Sequence, residues 1–299
     1  MRKVVDTNSL KSDELKGYLA DAANVAVLPD FVIMEALKPR DPALVAQQFQ
    51  LLSERPKQIV ALKTTRAVGG LRSRPRSRGL QRRLIDAGQT SAFPLFCDKI
   101  KQARDGDEPA RKQLAVKCDG AIAELATIAK GQETYAANIA EHAKQYTDAE
   151  LAVLRKGEPI SVELLAKITG EILKLTLGFF AVHPYGKQPP KFKQLPNAFL
   201  FRYAVAGYVV ALRCIKEGGP GGASAEKIRN HLVDAMLVAY ATYFDGFLSA
   251  DKKANELYET TSDLLKVYHQ HAKQFDEKTA LAQLAAEAAG TSAVATAAG

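Results

Sequence analysis

The chain has 299 residues, of which 47% are hydrophobic and 25% are charged, and its formal net charge at pH 7 is +8. This is the composition of a globular protein, and the length allows a full core with one or two domains. The positive charge favours polyanionic partners, either nucleic acid or an anionic membrane, without choosing between them.

Cysteine spacing and hydropathy exclude several classes of protein. Three cysteines lie far apart in the sequence, with no CxxC pair: Cys97, Cys118 and Cys214. This spacing argues against a zinc site and a disulfide framework, and with the absence of an apolar signal core near the start it favours a reducing, cytoplasmic location. The longest apolar run, 198–215, contains Arg202 and Arg213, so it predicts a buried amphipathic helix and no membrane span.

The first part of the chain alternates between short apolar strands and helices. We predict strands at 3–5, 25–28 and 58–62. We predict helices at 12–21, 31–37 and 41–53, with Asp30 capping the second of them. Alternating strands and helices are typical of a parallel α/β sheet.

The pattern changes after residue 63. An arginine-rich segment broken by Gly and Pro predicts a flexible loop at 64–88, and long Ala/Leu/Lys/Glu stretches predict helices from 91 to about 180. The later predicted elements are a Pro/Lys loop at 183–196, a helix at 198–215, a glycine-rich turn at 218–222, a helix carrying Asp234 and capped by Ser224, and a strand at 246–250. A closing helix follows that strand.

Strand signals at both ends of the sequence predict a discontinuous core. We expect an α/β fold in which a small parallel sheet is interrupted by a large α-helical insertion. Residues 1–63 and 225–275 would form the core, and residues 64–224 would form the basic loop and the helical insertion. Residues 276–299, rich in Ala, Gly, Ser and Thr, are predicted to be a disordered tail.

Four acidic residues coincide with one edge of the predicted sheet: Asp6, Glu35, Asp234 and Asp251. Asp6 follows the first strand and Asp251 the last, while Glu35 and Asp234 would approach from neighbouring helices. Ligands of parallel α/β sheets bind at the carboxyl ends of the strands, and gathered carboxylates favour a divalent cation. We therefore predict that these acids bind Mg²⁺ or Mn²⁺, which would activate water for phosphoryl transfer.

The alternative interpretation is that these are ordinary surface or capping acids, because the chain contains 33 acidic residues. Glu35 lies beside Lys38 and also fits a solvated helix surface. Asp234 lies between Val233 and Ala235 in an apolar helix, where an unpartnered carboxylate is costly, so it needs a partner.

The opening Val4-Val5-Asp6-Thr7-Asn8-Ser9-Leu10, the helical Glu35, Asp234-Ala235 and Asp251 together resemble the motifs of the PIN-domain nucleases. The resemblance covers roughly residues 1–63 and 225–255. It implies a Rossmann-like, three-layer fold and a metal-dependent endonuclease that cleaves RNA, less often DNA, in RNA decay, toxin or antiviral defence. It also implies that the four acids are metal ligands and that Thr7 or Asn8 supports the metal–water shell. Asn230, one helical turn before Asp234, is a secondary supporting candidate.

Two basic segments are candidates for binding the nucleic acid. The segment from Lys63 to Ile85 has no acidic residue, and arginine forks bind phosphates in a bidentate manner. In the second segment, His183–Lys193, basic and aromatic residues interleave, as in loops that stack bases. The predicted phosphate contacts are Arg66, Arg72, Arg74, Arg76, Arg78, Lys187, Lys191 and Arg202. A solvated charge run and a proline-stiffened connector are the alternatives, and either Arg202 or Arg213 could face the acids.

Two other functions remain open from the sequence. A phosphatase of the haloacid dehalogenase type also begins with an acid after its first strand, but it needs a second Asp two positions later, where this chain has Asn8. A non-catalytic PIN-like scaffold would bind nucleic acid or protein without cleavage. The large helical insertion suits a protein partner or self-association in either case.

Overall fold

The computed structural model describes residues 1–72, 79–129, 144–156, 158–184, 188–216 and 225–271. The fold is α/β and mostly helical, with a small four-stranded parallel sheet, as the sequence predicts. The strands are β1 Arg2–Val5, β2 Val25–Leu28, β3 Ile59–Ala61 and β4 Phe247–Leu248. The described residues form α-helices α1 to α13, which are, in chain order, Asp13–Ala20, Asp30–Leu37, Pro42–Gln48, Gln50–Glu54, Thr65–Gly69, Leu80–Leu84, Ala87–Arg104, Glu108–Ala129, Asp148–Lys156, Val162–Val182, Phe199–Lys216, Ala225–Ala241 and Lys252–His271.

The strand order β3-β2-β1-β4 brings the two ends of the described chain into one sheet. β1 pairs in parallel with β2 on one side and with β4 on the other, where Val4 lies opposite Phe247 and Val5 opposite Leu248. In this register, the residues that follow β1 and β4 emerge at the same carboxyl edge. The division into a discontinuous core and an insertion remains a prediction, although the sheet does join distant segments.

Both faces of the sheet are covered. Val4 and Val5 point to opposite faces because side chains alternate along a strand, and both have 0% exposure. This burial explains why the strands are continuous apolar runs, as in other parallel sheets. Helix α7 packs against β3 and α8 against α2, while α11, α12 and α13 pack on one another and α12 also contacts β1. Helices from the predicted insertion therefore share the hydrophobic core with the sheet.

The helix predicted at 41–53 is two helices, α3 and α4, because the chain leaves helical geometry at Phe49 (φ −93°, ψ 3°). The Phe49 ring is buried and meets Phe96 edge-on, with ring centroids 5.3 Å apart. Tertiary packing of this aromatic ring overrides the local helical periodicity, which continues across the break. The observed strand β4 is also shorter than the predicted 246–250.

The segment predicted as a flexible loop at 64–88 contains two short helices, α5 and α6, and the start of α7. Thr64 caps α5 by accepting a hydrogen bond from the Ala67 N–H at 3.3 Å, and Leu80 and Leu84 of α6 are buried. Local capping and apolar spacing thus order parts of a segment whose composition indicated a loop. Residues 73–78 lie outside the described residues, as do the glycine-rich turn at 218–222, Ser224 and the tail at 276–299.

The prediction that Asp30 caps the helix at 31–37 is also corrected. It begins α2 instead of preceding it, since Pro29 occupies the N-cap position. Its carboxylate accepts hydrogen bonds from the backbone N–H and the hydroxyl of Thr65, at 2.7 and 2.8 Å, and so joins α2 to α5. Within the part of the chain that is described, no helix is long and apolar enough to cross a membrane.

Candidate functional site

Asp6 lies in the buried centre of the carboxyl edge, directly after β1. Its backbone N–H donates to the Leu248 carbonyl at 2.9 Å, which continues the pairing of β1 with β4. Its side chain is 7% exposed, and its Oδ2 accepts a 2.7 Å hydrogen bond from the Ser249 hydroxyl. Burial raises the pKa of Asp6, the Ser249 hydrogen bond opposes that rise, and the charge of Asp251 adds to it.

Glu35 is held one helical turn into α2 by Thr7, whose hydroxyl donates to Glu35 Oε2 at 2.7 Å. The adjacent Asn8 links two loops, because its Oδ1 accepts from the Ala250 N–H at 3.1 Å. The short 3₁₀ turn Thr7–Ser9 therefore orients one carboxylate directly and joins the loop after β1 to the loop after β4. Both predicted supporting residues at the start of the chain lie at the site.

Asp251 follows β4 and is exposed. Its Oδ1 accepts a hydrogen bond from the Lys253 N–H at 2.7 Å, which caps the first turn of α13. Asn255 strengthens this corner by donating its side-chain amide to the Ser249 carbonyl at 2.7 Å and to the Asp251 carbonyl at 3.1 Å. A capping role and a ligand role are compatible at Asp251, since a carboxylate has two oxygens and several acceptor positions.

Asp234, on α12, is the member of the group with the most perturbed electrostatics. Burial, followed by the charges of Asp6, Asp251 and Glu35, raises the pKa of Asp234 to about 7. The positive charge of Arg213 on α11 opposes that rise. Arg213, and not Arg202, is therefore the arginine that faces the acids. The four predicted acids are close enough to repel one another, and Asn230 is exposed at the start of this region of α12.

The geometry of the acids is more open than a closed ion cage. In the described ranges, no group of three or more His, Cys, Asp or Glu side chains is placed to hold a metal ion. Metal ligands must converge to within roughly 2.0–2.6 Å of the ion, whereas charged carboxylates repel one another over much longer distances. The acids can therefore repel one another without forming a closed ion cage. The donor chemistry fits Mg²⁺ or Mn²⁺, because the four acids provide only oxygen ligands and a cation would offset the repulsion at Asp234.

Arg202 does not fit its predicted role in binding nucleic acid. It is 5% exposed, its Nε donates to the Pro196 carbonyl at 2.8 Å, and its Nη1 donates to the carbonyl and the hydroxyl of Thr242. The guanidinium carbon lies 3.7 Å from the ring centroid of Tyr243. Burial lowers the pKa of Arg202, and these contacts hold α11 to the end of α12. The sequence could not reveal this, because it does not show which face of an apolar helix a single arginine occupies.

The other predicted phosphate contacts divide into two groups. Arg66, Arg72 and Lys191 are exposed, and Arg66 lies in α5 directly after β3. Four predicted contacts lie outside the described residues: Arg74, Arg76, Arg78 and Lys187. Of the exposed group, Arg66 follows β3, whereas Asp6 and Asp251 follow β1 and β4.

Ser249 was not predicted from the sequence, which also does not decide whether Arg202 or Arg213 faces the acids. Ser249 Oγ contacts Asp6 Oδ2 and accepts from the Asp251 N–H at 3.1 Å, so it connects two of the predicted ligands. Its position two residues before Asp251 was the available signal. Arg213 was one of two equivalent candidates, and only the packing of α11 against α12 and α13 separates them.

Removing the Ser249 hydroxyl is expected to weaken divalent-cation binding roughly tenfold, because residues that orient metal ligands commonly contribute 10- to 100-fold in affinity. Isothermal titration of Ser249→Ala with Mn²⁺ would measure this change. Ser91→Ala, which alters an exposed serine of α7, is the matched control. Equal Mn²⁺ affinities in the two variants would contradict an orienting role for Ser249.

Comparisons of the chain with protein-family models, with curated proteins and with solved structures found no match in any of the three.

Proposed function

We propose that the chain is a divalent-metal-dependent endonuclease that hydrolyses phosphodiester bonds, with single-stranded RNA as its main substrate. The observation that carries this proposal is the electrostatic coupling at Asp234. Burial and the charges of Asp6, Asp251 and Glu35 raise the pKa of Asp234 beside the carboxyl edge of a parallel sheet. Perturbed acids grouped at a ligand-binding edge are typical of a functional site. The resemblance of the same four residues to the PIN-domain pattern supports the reaction class.

The chain's own residues prepare the site in three ways. Ser249 fixes Asp6, Thr7 fixes Glu35, and the cap of α13 fixes Asp251. Asp6, Glu35, Asp234 and Asp251 would hold Mg²⁺ or Mn²⁺ through carboxylate oxygens. When bound, such an ion stabilises the negative charge that develops on a phosphodiester during hydrolysis. Hydrogen bonds that pre-position the carboxylates reduce the reorganisation needed at that moment.

The exposed basic residues support nucleic acid as the substrate. A net charge of +8 attracts polyanions, and the exposed Arg66, Arg72 and Lys191 supply sequence-independent phosphate contacts. The predicted contacts outside the described residues, Arg74, Arg76, Arg78 and Lys187, extend this proposal. Three cysteines free of disulfides support a reducing, cytoplasmic setting, in which RNA decay, toxin activity or antiviral defence are the proposed roles. Protein partners or self-association would use the helices between β3 and β4.

The test is cleavage of labelled single-stranded RNA, single-stranded DNA and duplex DNA, with Mn²⁺, Mg²⁺ or EDTA. Wild type is expected to cut RNA only with a divalent ion, and Asp251→Asn is expected to reduce the rate by at least about 100-fold. Asparagine is an equally good N-cap, so this variant should keep its stability. Asp245→Asn is the matched control, since Asp245 follows α12 and accepts from the Arg2 N–H at 2.7 Å, away from the acids.

Each outcome of the cleavage assay has a definite meaning. Metal-dependent cleavage that survives in Asp245→Asn but not in Asp251→Asn supports the proposal and identifies the substrate. A wild type that binds RNA and cuts nothing under any ion contradicts it and favours a binding scaffold. Cleavage that is equal in the two variants would remove Asp251 from the proposed site.

A further inference from the structure

Three aromatic rings form an offset stack between α10 and α11. Tyr203 of α11 stacks with Phe179 of α10, with ring centroids 5.2 Å apart and an angle of 18° between the ring planes. It also stacks with Phe199, one turn earlier in α11, at 6.3 Å and 11°. Phe199 in turn meets the fully buried Tyr240 of α12 at 4.5 Å. The aromatic stack Phe179, Tyr203 and Phe199 is therefore anchored in the core.

The outer part of the aromatic stack reaches the surface. Phe199 is 5% exposed, whereas Phe179 and Tyr203 are only half-buried. Flat rings that are exposed and already parallel to one another can accept a further flat group with little loss of entropy, because packing has fixed their orientation.

The basic segment after β3 lies beside the aromatic stack. His183, one turn after Phe179 at the end of α10, packs so closely on α5 that a Cβ at Gly69 would lie 2.7 Å from its Nε2. The exposed Arg72, three residues after Gly69, lines a narrow cleft together with Phe199. A positive side chain and stacked rings therefore adjoin where α5, α10 and α11 meet.

We propose that Phe179 and Tyr203 form a stacking platform for an unpaired base of single-stranded RNA, with an adjacent phosphate held by Arg72. The inference rests on the proposed function for the class of ligand. Every base has a π-face that can stack on an aromatic side chain, and an arginine beside the rings suits the phosphate that accompanies each base. The net charge of +8 favours this polyanionic occupant over an apolar protein segment.

Such a platform would give the chain a preference that the four acids alone do not supply. A base inside a duplex is already stacked and paired, so it reaches a protein ring only after it has been separated from its neighbours. A base in a single strand is accessible at much lower cost. Stacking would therefore select single-stranded RNA, whereas contacts with phosphates accept single and double strands alike.

Two phenylalanines provide a matched test. Phe179 and Phe96 are both half-buried rings on helices, and Phe96 lies on α7 against Phe49. We would measure binding of a short single-stranded RNA to full-length chains in EDTA, which prevents metal-dependent cleavage. Phe179→Leu keeps an apolar side chain but removes the ring, and it is expected to weaken binding about tenfold. Phe96→Leu is expected to leave the affinity unchanged, and Phe179→Trp should retain the wild-type affinity.

The dependence on bases separates stacking from a general loss of binding. The slope of log affinity against log salt should be the same for Phe179→Leu and wild type, because no phosphate contact is removed. A strand that carries abasic sugars should bind the two proteins equally. If Phe179→Leu weakens binding of the abasic strand as strongly as that of RNA, the role of Phe179 is structural and the platform is overturned.

The results also separate this inference from the proposed function. A loss that is confined to Phe179→Leu and to strands with bases supports the platform even if wild type cuts nothing. Equal RNA affinities for Phe179→Leu and Phe96→Leu overturn the platform, and the proposed function stands if wild type still cleaves RNA with Mn²⁺. A wild type that binds no single-stranded RNA also overturns the platform and favours a protein segment as the occupant of these rings.

Discussion

Replacing Asp234 with asparagine is expected to stabilise the metal-free protein at about pH 8 by on the order of 3 kcal/mol, while weakening divalent-cation binding. Partial burial and the charges of three other acids raise the pKa of the wild-type carboxylate to about 7 from an ordinary value near 3.8. At pH 8 the folded protein must keep this group charged, which costs free energy. Asparagine has nearly the same shape and no charge, so the repulsion disappears.

The pH dependence follows from the direction of this shift. Between pH 4 and pH 7 the folded state binds a proton at Asp234 that the unfolded state has released, so stability falls as pH rises through this window. Below pH 4 both states are protonated, and above pH 7 both are ionised, so the contribution is constant outside the window. The raised pKa of Asp6 adds to the fall in the same direction.

Chemical denaturation of wild type and Asp234→Asn at about pH 4 and pH 8, in EDTA, would measure this effect. The two proteins should differ little at about pH 4 and most at pH 8, and Mn²⁺ should stabilise wild type more than the variant. Asp245→Asn serves as the control, because it also removes one negative charge but lies away from the acids. A variant that is less stable than wild type at pH 8 would contradict the clustered-acid interpretation.

Replacing Arg202 with methionine is expected to destabilise the fold by about 3 kcal/mol without a direct effect on RNA contacts. Methionine preserves the aliphatic stem but leaves the buried carbonyls of Pro196 and Thr242 without their donor. Unpaired buried acceptors cost about 1–3 kcal/mol each, and relief of the buried positive charge offsets part of the total. The loss should appear as a lower denaturation midpoint.

Arg72→Met is the matched variant, and it is expected to affect RNA binding but not stability. Arg72 is exposed, so its loss should change stability by less than about 0.5 kcal/mol and should weaken RNA binding at low salt. Denaturant titration and RNA binding, measured on both variants below the unfolding range, would separate the two roles. An Arg202→Met protein with wild-type stability would show that its buried hydrogen bonds contribute little.

The elements of the sheet were predictable because their signals are local. β2 was predicted at its observed bounds, and β1 and β3 within one residue at either end, since a short apolar run before a polar turn is recognisable within a few positions. The helices α5 and α6 were not predicted, because the Arg, Gly and Pro content of their segment indicated a loop in spite of the local cap at Thr64. The break at Phe49 was not predicted, because it depends on a packing partner that is far away in the sequence. Phe96, the ring that meets Phe49, lies in α7.

The candidate site shows the same division between local and distant information. Asp6, Glu35, Asp234 and Asp251 were selected from their positions beside predicted strands and helices, and the structure brings their charges within reach of one another. Ser249 bonds to Asp6 across 243 positions of sequence, a relation that no local pattern contains. Arg202 and Arg213 lie on nearly the same face of α11, about three turns apart, and only the different neighbours at the two ends of this helix place one in the core and the other beside the acids.

Because β4 pairs with β1, the site can form only after synthesis of the chain has reached β4. During synthesis Asp6 and Glu35 emerge early, but the partners of Asp6 at Ser249 and Asp251 are made only after the helices that follow β3. Closing so long a loop is entropically unfavourable until those helices have packed. A nascent chain therefore exposes one half of the acidic cluster without the other. Under the proposed function, the ribosome-bound chain would be inactive toward the messenger RNA that encodes it.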